Sequence, residues 1–231
     1  MAHVIQPSPM PTVPVTGSAD TFPVHRIYCV GRNYVDHAIE MGASGREAPF
    51  FFMKPADAVV VVDPGQTVSL PYPSVTSNYH HELELVVALG KGGSQVSVEQ
   101  AMDLVFGYAV GLDMTRRDLQ AEAKRLGRPW CISKGFDHSA PIGHITRAHE
   151  VSGIETAAIT LEVNGQIRQA SDISKLIWNI AETIAALSQA WELQAGDLIY
   201  SGTPAGVGAV VKGDHMVARV DGLSPISLKV V

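Results

Sequence analysis

Leu85, Val86, Val87, Ala88 and Leu89 form an unbroken apolar run, closed by Gly90 and free of proline. Such a run predicts a short strand buried on both faces. Polar residues sit at its head, in "YHHELELVVALG" (79–90). Side chains alternate along an extended chain, so His80, Glu82 and Glu84 share one face while His81, Leu83 and Leu85 share the other. Glu82 and Glu84 then lie roughly 7 Å apart along the strand. Two carboxylates that close to a low-dielectric core repel unless one takes a proton or a cation sits between them. Two readings fit this stretch: a solvated edge with ordinary surface glutamates, or half of a metal site that needs a third ligand.

The same pattern reading extends along the chain. Residues 1–24 hold Pro7, Pro9, Pro11 and Pro14 and are expected to be an extended N-terminal arm, lying on the domain or on a partner subunit. One catalytic domain is expected over 25–231. "HRIYCVG" (25–31) predicts a strand, followed by a helical turn around residues 35–41 and a Gly-rich polar stretch over 42–49. "FFFMKP" predicts a strand stopped by Pro55, and "VFGYAVGLD" (105–113) a buried one. The latter runs into a helix with Thr115 and Asp118 as a capping box and Gly127 and Pro129 as the stop. "ITLEVNGQIRQ" (159–169) alternates around Asn164-Gly165, a strong hairpin signal. Ile180, Ile184, Leu187 and Trp191 recur at helical spacing, with Gly196 as the cap. "DLIYSGTPAGVG" (197–208) predicts a strand entering a Gly-rich turn, and the tail predicts two more strands. Strands predominate without regular βαβ alternation, so the class is α+β on a mixed sheet.

Composition narrows the function classes. With 231 residues, 46% hydrophobic and 17% charged, the chain can bury one substantial core. Net charge is −6 and no Lys/Arg cluster occurs, which argues against nucleic acid as a partner. No apolar run approaches the roughly 20 residues of a membrane span. The N-terminus has no basic region ahead of an apolar stretch, so no signal peptide and no membrane partner are expected. Cys29 and Cys131 both lie in apolar company with no CxxC, which predicts reduced core thiols of a cytoplasmic protein.

Asp113 supplies the missing third carboxylate. It ends a strand and precedes a helix, and strand C-terminal ends are where polar groups meet a cavity. Three carboxylates without clustered cysteines favour a hard cation, Mg²⁺ or Mn²⁺. His80 and His81 point to opposite faces and cannot ligate one ion together, which argues against an iron site.

"GRNYVDHAIEM", "FFMKP", "HHELELVVALGK", "GYAVGLDMTRRDLQ", "VNGQIRQ" and "GDLIYSGTPAGVG", in this order, resemble the fumarylacetoacetate hydrolase family. The likeness covers roughly residues 25–230 and is greatest to the short acylpyruvate and fumarylpyruvate hydrolase members. It implies a mixed β-roll with peripheral helices, usually a homodimer. It makes Glu82, Glu84 and Asp113 the ligands of Mg²⁺ or Mn²⁺ and Lys134 an active-site lysine. It places Thr203 at the substrate carboxylate, and Arg32, Arg117 and Gln120 near the substrate. Arg117 and Gln120 are read equally well as a solvated helix face.

His37 and Glu40, at i and i+3 on one side of a helical turn, match the family's water-activating dyad. The glutamate would hold the imidazole tautomer and raise its basicity. Residues 36–49 are expected to form a lid that carries this base over bound substrate. The implied reaction is hydrolytic C–C cleavage of an acylpyruvate, a 2,4-dioxo acid, to pyruvate and a carboxylic acid. The alternative is decarboxylation or isomerisation of oxaloacetate or a related β-keto acid through the same enolate. The expected partner is that small 2-oxo or 2,4-dioxo acid.

Overall fold

The computed structural model describes residues 3–35 and 46–231. All seven residues of the strand Leu83–Leu89 are buried. Leu83, Leu85, Val87 and Leu89 join one apolar cluster with Ile159, Leu161, Met216 and Leu228. Val86 and Ala88 join a second, with Cys29, Ala109, Leu198 and Tyr200. A strand that separates two cores has no solvent face, which explains its near-continuous apolar sequence. Truncating one of these leucines to alanine would leave a cavity and cost about 2–5 kcal/mol.

This strand sits inside an eight-stranded sheet. The order is Phe50–Lys54, Ile27–Gly31, Leu198–Tyr200, Leu83–Leu89, Val105–Leu112, Ala140–Ile142, Val59–Val61, and Thr146–Arg147 also pairs with Val105–Leu112. A five-stranded sheet runs Gln166–Asp172, Ala158–Val163, His215–Val220, Ile226–Val230, Thr67–Leu70. A three-stranded sheet joins Thr115–Arg116, Tyr79–His81 and Gly208–Val210. Pairing is mixed. Leu198–Tyr200 runs parallel to Ile27–Gly31, while Leu83–Leu89 is antiparallel to Val105–Leu112. The fold is α+β and dominated by sheet.

Local signals account for several elements. Ala158–Val163 and Gln166–Asp172 form the hairpin expected at Asn164-Gly165. Both turn residues have positive φ, 53° and 75°, the backbone that a two-residue hairpin turn with matching twist demands. The helix Ile180–Ala190 buries Ile180, Ile184 and Leu187, and its N-terminus carries a capping box from Asn179 and Glu182. Residues Thr12–Pro14 and Thr21–Pro23 pair as a small hairpin. Its Val13 and Phe22, with the flanking Val15 and Val24, enter the second core cluster.

Three local expectations are corrected. The helix Arg117–Leu126 has Arg116 as its N-cap and no side-chain cap, because Thr115 is drawn into a strand pair with His80. Asp118 instead accepts hydrogen bonds from the Thr76 hydroxyl and the Ser77 N–H. Gly196 does not cap the helix ending at Ala190. The C-cap there is Trp191, with extended backbone. Cys29 is buried as expected, but Cys131 is exposed, since the short helix Cys131–Lys134 turns Ser133 and Lys134 inward instead. The proposed dyad His37–Glu40 and most of the 36–49 lid lie outside the described residues.

Candidate metal centre and active site

Register builds the site. Leu83 pairs with Leu112 and Glu84 with Gly111, so the end of Val105–Leu112 delivers Asp113 beside Glu82. The Asp113 N–H donates to the Glu82 carbonyl at 2.8 Å. Glu82, Glu84 and Asp113 are all buried, and each offers a carboxylate oxygen within 4.8 Å of the others. The side chains converge more closely than their strand spacing alone requires.

Cations hold this acidic cluster together. Lys134, buried at the end of Cys131–Lys134, donates to Glu82 Oε2 at 2.7 Å, Asp113 Oδ2 at 2.6 Å and Thr115 Oγ1 at 2.7 Å. All three ammonium donors are therefore used. Burial works to lower the Lys134 pKa, but the Asp113 and Glu82 charges together outweigh it and the net direction is up. Lys54, also buried, lies 2.8 Å from Asp113 Oδ1. It donates to the carbonyls of Met114 and Lys134 as well, fastening the last turn of the short helix. Arg117 pairs with Glu82 and donates to Gln120 Oε1 at 2.6 Å. Glu84 is held mainly by the Gly202 N–H, 2.8 Å from Oε2. Burial, followed by the Asp113 and Glu82 charges, pushes its carboxyl well above the usual range.

The Gly-rich turn therefore serves a carboxylate ligand directly. Gly202 has φ +102°, and a Cβ there would stand 2.6 Å from Asn33 Cβ, so a side chain is excluded on both counts. Thr203 lines the same pocket, and its hydroxyl accepts from Gln169 Nε2 at 2.8 Å. Gln169 is wholly buried. Its Oε1 accepts from the Leu83 N–H at 3.0 Å and from His81 Nδ1 at 3.1 Å, and its Nε2 also donates to the Pro204 carbonyl. One amide thus ties the carboxylate-bearing strand to the Thr203 turn.

Of the residues expected from sequence, Glu82, Glu84, Asp113, Lys134, Arg32, Arg117, Gln120 and Thr203 come together around this one pocket. His80 and His81 stay outside the carboxylate cluster. His80 reaches Asn78 and Arg117, and His81 reaches Gln169. Burial and the Arg117 charge lower the His80 pKa to about 4, so it stays neutral. Lys54, Asn33 and Gln169 were not anticipated. Asn33 bonds the Ser201 carbonyl and both backbone groups of Trp178. Each of the three lies inside a quoted motif, Asn33 in "GRNYVDHAIEM", Lys54 in "FFMKP" and Gln169 in "VNGQIRQ", but none was assigned a part in the site.

The donor set is all oxygen, anionic and closely spaced, which suits a hard divalent ion such as Mg²⁺ or Mn²⁺. The sequence model of the family described as "Fumarylacetoacetate (FAA) hydrolase C-terminal" matches residues 26–231. The chain belongs to the fumarylacetoacetate hydrolase family. The fumarylpyruvate hydrolase of Ralstonia sp is 52% identical over 184 residues, covering 80% of this chain and 93% of that protein. The mitochondrial oxaloacetate tautomerase of Bos taurus is 40% identical over 204 residues, covering 88% and 90%. A crystal structure of fumarylpyruvate hydrolase from Pseudomonas aeruginosa, in complex with Mn²⁺ and pyruvate, matches with a TM-score of 0.98. It is 55% identical and the match covers 100% of this chain and 99% of that one. The mixed-sheet fold is thus the one this family uses.

Proposed function

We infer that the chain is a metal-dependent hydrolase that cleaves acylpyruvates to pyruvate and a carboxylic acid. The observation that carries this reading is the buried Glu82–Glu84–Asp113 cluster, two of whose carboxylates, Glu82 and Glu84, line a pocket, in a chain so similar to fumarylpyruvate hydrolases. A divalent cation held by these three carboxylates supplies Lewis acidity toward the oxygens of a 2-oxo acid. Lys134 places a fixed positive charge beside them, where enolate charge develops during cleavage. Arg117 and Gln120 form one wall, and the Thr203 hydroxyl is presented to the substrate carboxylate from the opposite turn. His37, oriented by Glu40, takes a proton from water. The hydroxyl adds to the acyl carbon, the bond between that carbon and the methylene breaks, and a proton completes the pyruvate methyl group.

A second reading is conversion of oxaloacetate, favoured by the tautomerase relatives at about 40% identity. It draws on the same enolate stabilisation and dispenses with water attack. Turnover of acetylpyruvate and oxaloacetate, measured with Mg²⁺ or Mn²⁺ and again with chelator, separates the two. Metal-dependent release of pyruvate and acetate supports the hydrolase, whereas activity confined to oxaloacetate overturns it. Glu84→Gln is expected to lower metal affinity and turnover together. On family resemblance we also hold that residues 25–231 act as one catalytic unit, that the protein is a cytoplasmic homodimer, and that its partner is a small acid alone. Light scattering that returned a monomer would contradict the dimer.

A further inference from the structure

The proposed chemistry gives His80 no part, although the fold fixes closely where its ring stands. Its backbone is held between two strands, opposite Thr115 on one side and Ala209 on the other. Its ring spans Asn78 Oδ1, 2.8 Å from Nε2, and Arg117, whose Nε lies 3.4 Å from Nδ1. The same stretch of chain holds the start of the helix Arg117–Leu126. The Arg117 N–H donates to the Asn78 carbonyl at 2.8 Å. Asp118, next along the helix, accepts from the Ser77 N–H at 2.9 Å and from the Thr76 hydroxyl. Residues 76–80 thus bracket the helical turn that presents Arg117 and Gln120 to the pocket.

Hydrogen-bond logic settles the tautomer. A guanidinium nitrogen only donates, so Nδ1 of His80 must present its lone pair to Arg117, and the ring proton sits on Nε2, donated to Asn78 Oδ1. Arg117 is then gripped at each of its three nitrogens. Nε donates to His80, Nη1 to Gln120 Oε1 at 2.6 Å, and Nη2 to Glu82. Three acceptors on three nitrogens fix the plane and the direction of the fork. That matters for a side chain with about 2 kcal/mol of rotamer entropy to lose. The acceptor at Nε is also neutral. A second carboxylate there would hold the fork harder, but it would cancel the charge that Arg117 turns toward an anion.

We propose that His80, with its tautomer set by Asn78, is a positioning residue that aims the Arg117 guanidinium into the pocket through a neutral acceptor. This deepens the acylpyruvate reading, in which Arg117 forms one wall of the substrate site. The test compares His80→Phe, which keeps a ring and loses the acceptor, with His80→Asn, whose side-chain oxygen can stand where Nδ1 stood. Acetylpyruvate cleavage is followed with Mg²⁺, and circular dichroism confirms the fold; should His80→Phe unfold, His80→Leu takes its place. His80→Phe lowers kcat/KM by about tenfold, the loss expected for one hydrogen bond to a charged group, and chiefly through KM. His80→Asn restores it to within about threefold of native. In an Arg117→Met background, His80→Phe changes kcat/KM by less than about twofold, because the residue acts through Arg117. An equal loss in His80→Asn and His80→Phe, or the full loss persisting without Arg117, overturns the proposal. If the native protein cleaves no acylpyruvate, the acylpyruvate reading fails on its own, and the same variants are compared by the calorimetric Kd of pyruvate with Mg²⁺ present. Weaker binding in His80→Phe that His80→Asn restores supports the positioning role, and equal binding by all three proteins overturns it.

Discussion

Lys134→Met removes the ammonium at the centre of the acidic cluster and keeps an unbranched side chain of similar length. In the metal-free protein, Glu82 and Asp113 each lose a donor at 2.6–2.7 Å and Thr115 loses a third. At an effective dielectric of about 20, each ionic contact is worth about 6 kcal/mol before desolvation. Keeping an ammonium out of water offsets several kcal/mol of that. Removing one partner of a buried pair therefore costs a net of about 3–5 kcal/mol, because the remaining charges stay behind uncompensated. In a chain of this size that lowers Tm by roughly 6–20 °C. The assay is thermal denaturation in chelator, repeated with saturating Mn²⁺. Metal binding stabilises both proteins by mass action, about 2.7 kcal/mol at a hundredfold excess over Kd. It also returns positive charge to the variant's carboxylates, so the gap narrows. A variant that melts within about 2 °C of the native protein in chelator would refute the electrostatic account.

Gln169→Leu leaves the Leu83 N–H and the Pro204 carbonyl without their buried partner, costing about 1–3 kcal/mol for each orphaned group. Urea denaturation should show the loss, and KM should rise as Thr203 is released. Gly202→Ala forces a side chain against Asn33 and displaces the N–H that holds Glu84. Mn²⁺ affinity by calorimetry should fall by about tenfold or more, as for other supports of metal ligands. The pH profile of kcat/KM reports groups in the free enzyme. Lys124 lines the pocket and loses its proton above pH of about 8, so kcat/KM for an anionic acylpyruvate should fall through that range.

What was legible in the sequence was local. The period of two around "HHELELVVALG" put Glu82 and Glu84 on one face, and their carboxylates do lie within 4.8 Å of one another, because alternation needs no distant partner. The Asn164-Gly165 hairpin was readable for the same reason, since its turn is specified by the two residues that form it. Asp118 shows the limit. Its spacing from Thr115 looked like a cap until pairing with Tyr79–His81 claimed Thr115 for a sheet. Cys131 has apolar neighbours in sequence, but one helical turn sends those neighbours to different sides of the chain. Lys54 and Gln169 reach the site from 60 and 86 residues away, at Met114 and Leu83. No window along the chain contains both ends of either contact. The three carboxylates became a centre only when a register brought Leu112 opposite Leu83.

The most direct test of the central claim is proton NMR of fumarylpyruvate incubated with the Mg²⁺-loaded protein. The account predicts fumarate and pyruvate in equal amounts, with no cleavage once chelator is added. An intact carbon skeleton, with the folded, metal-loaded enzyme producing only keto–enol exchange, would contradict it.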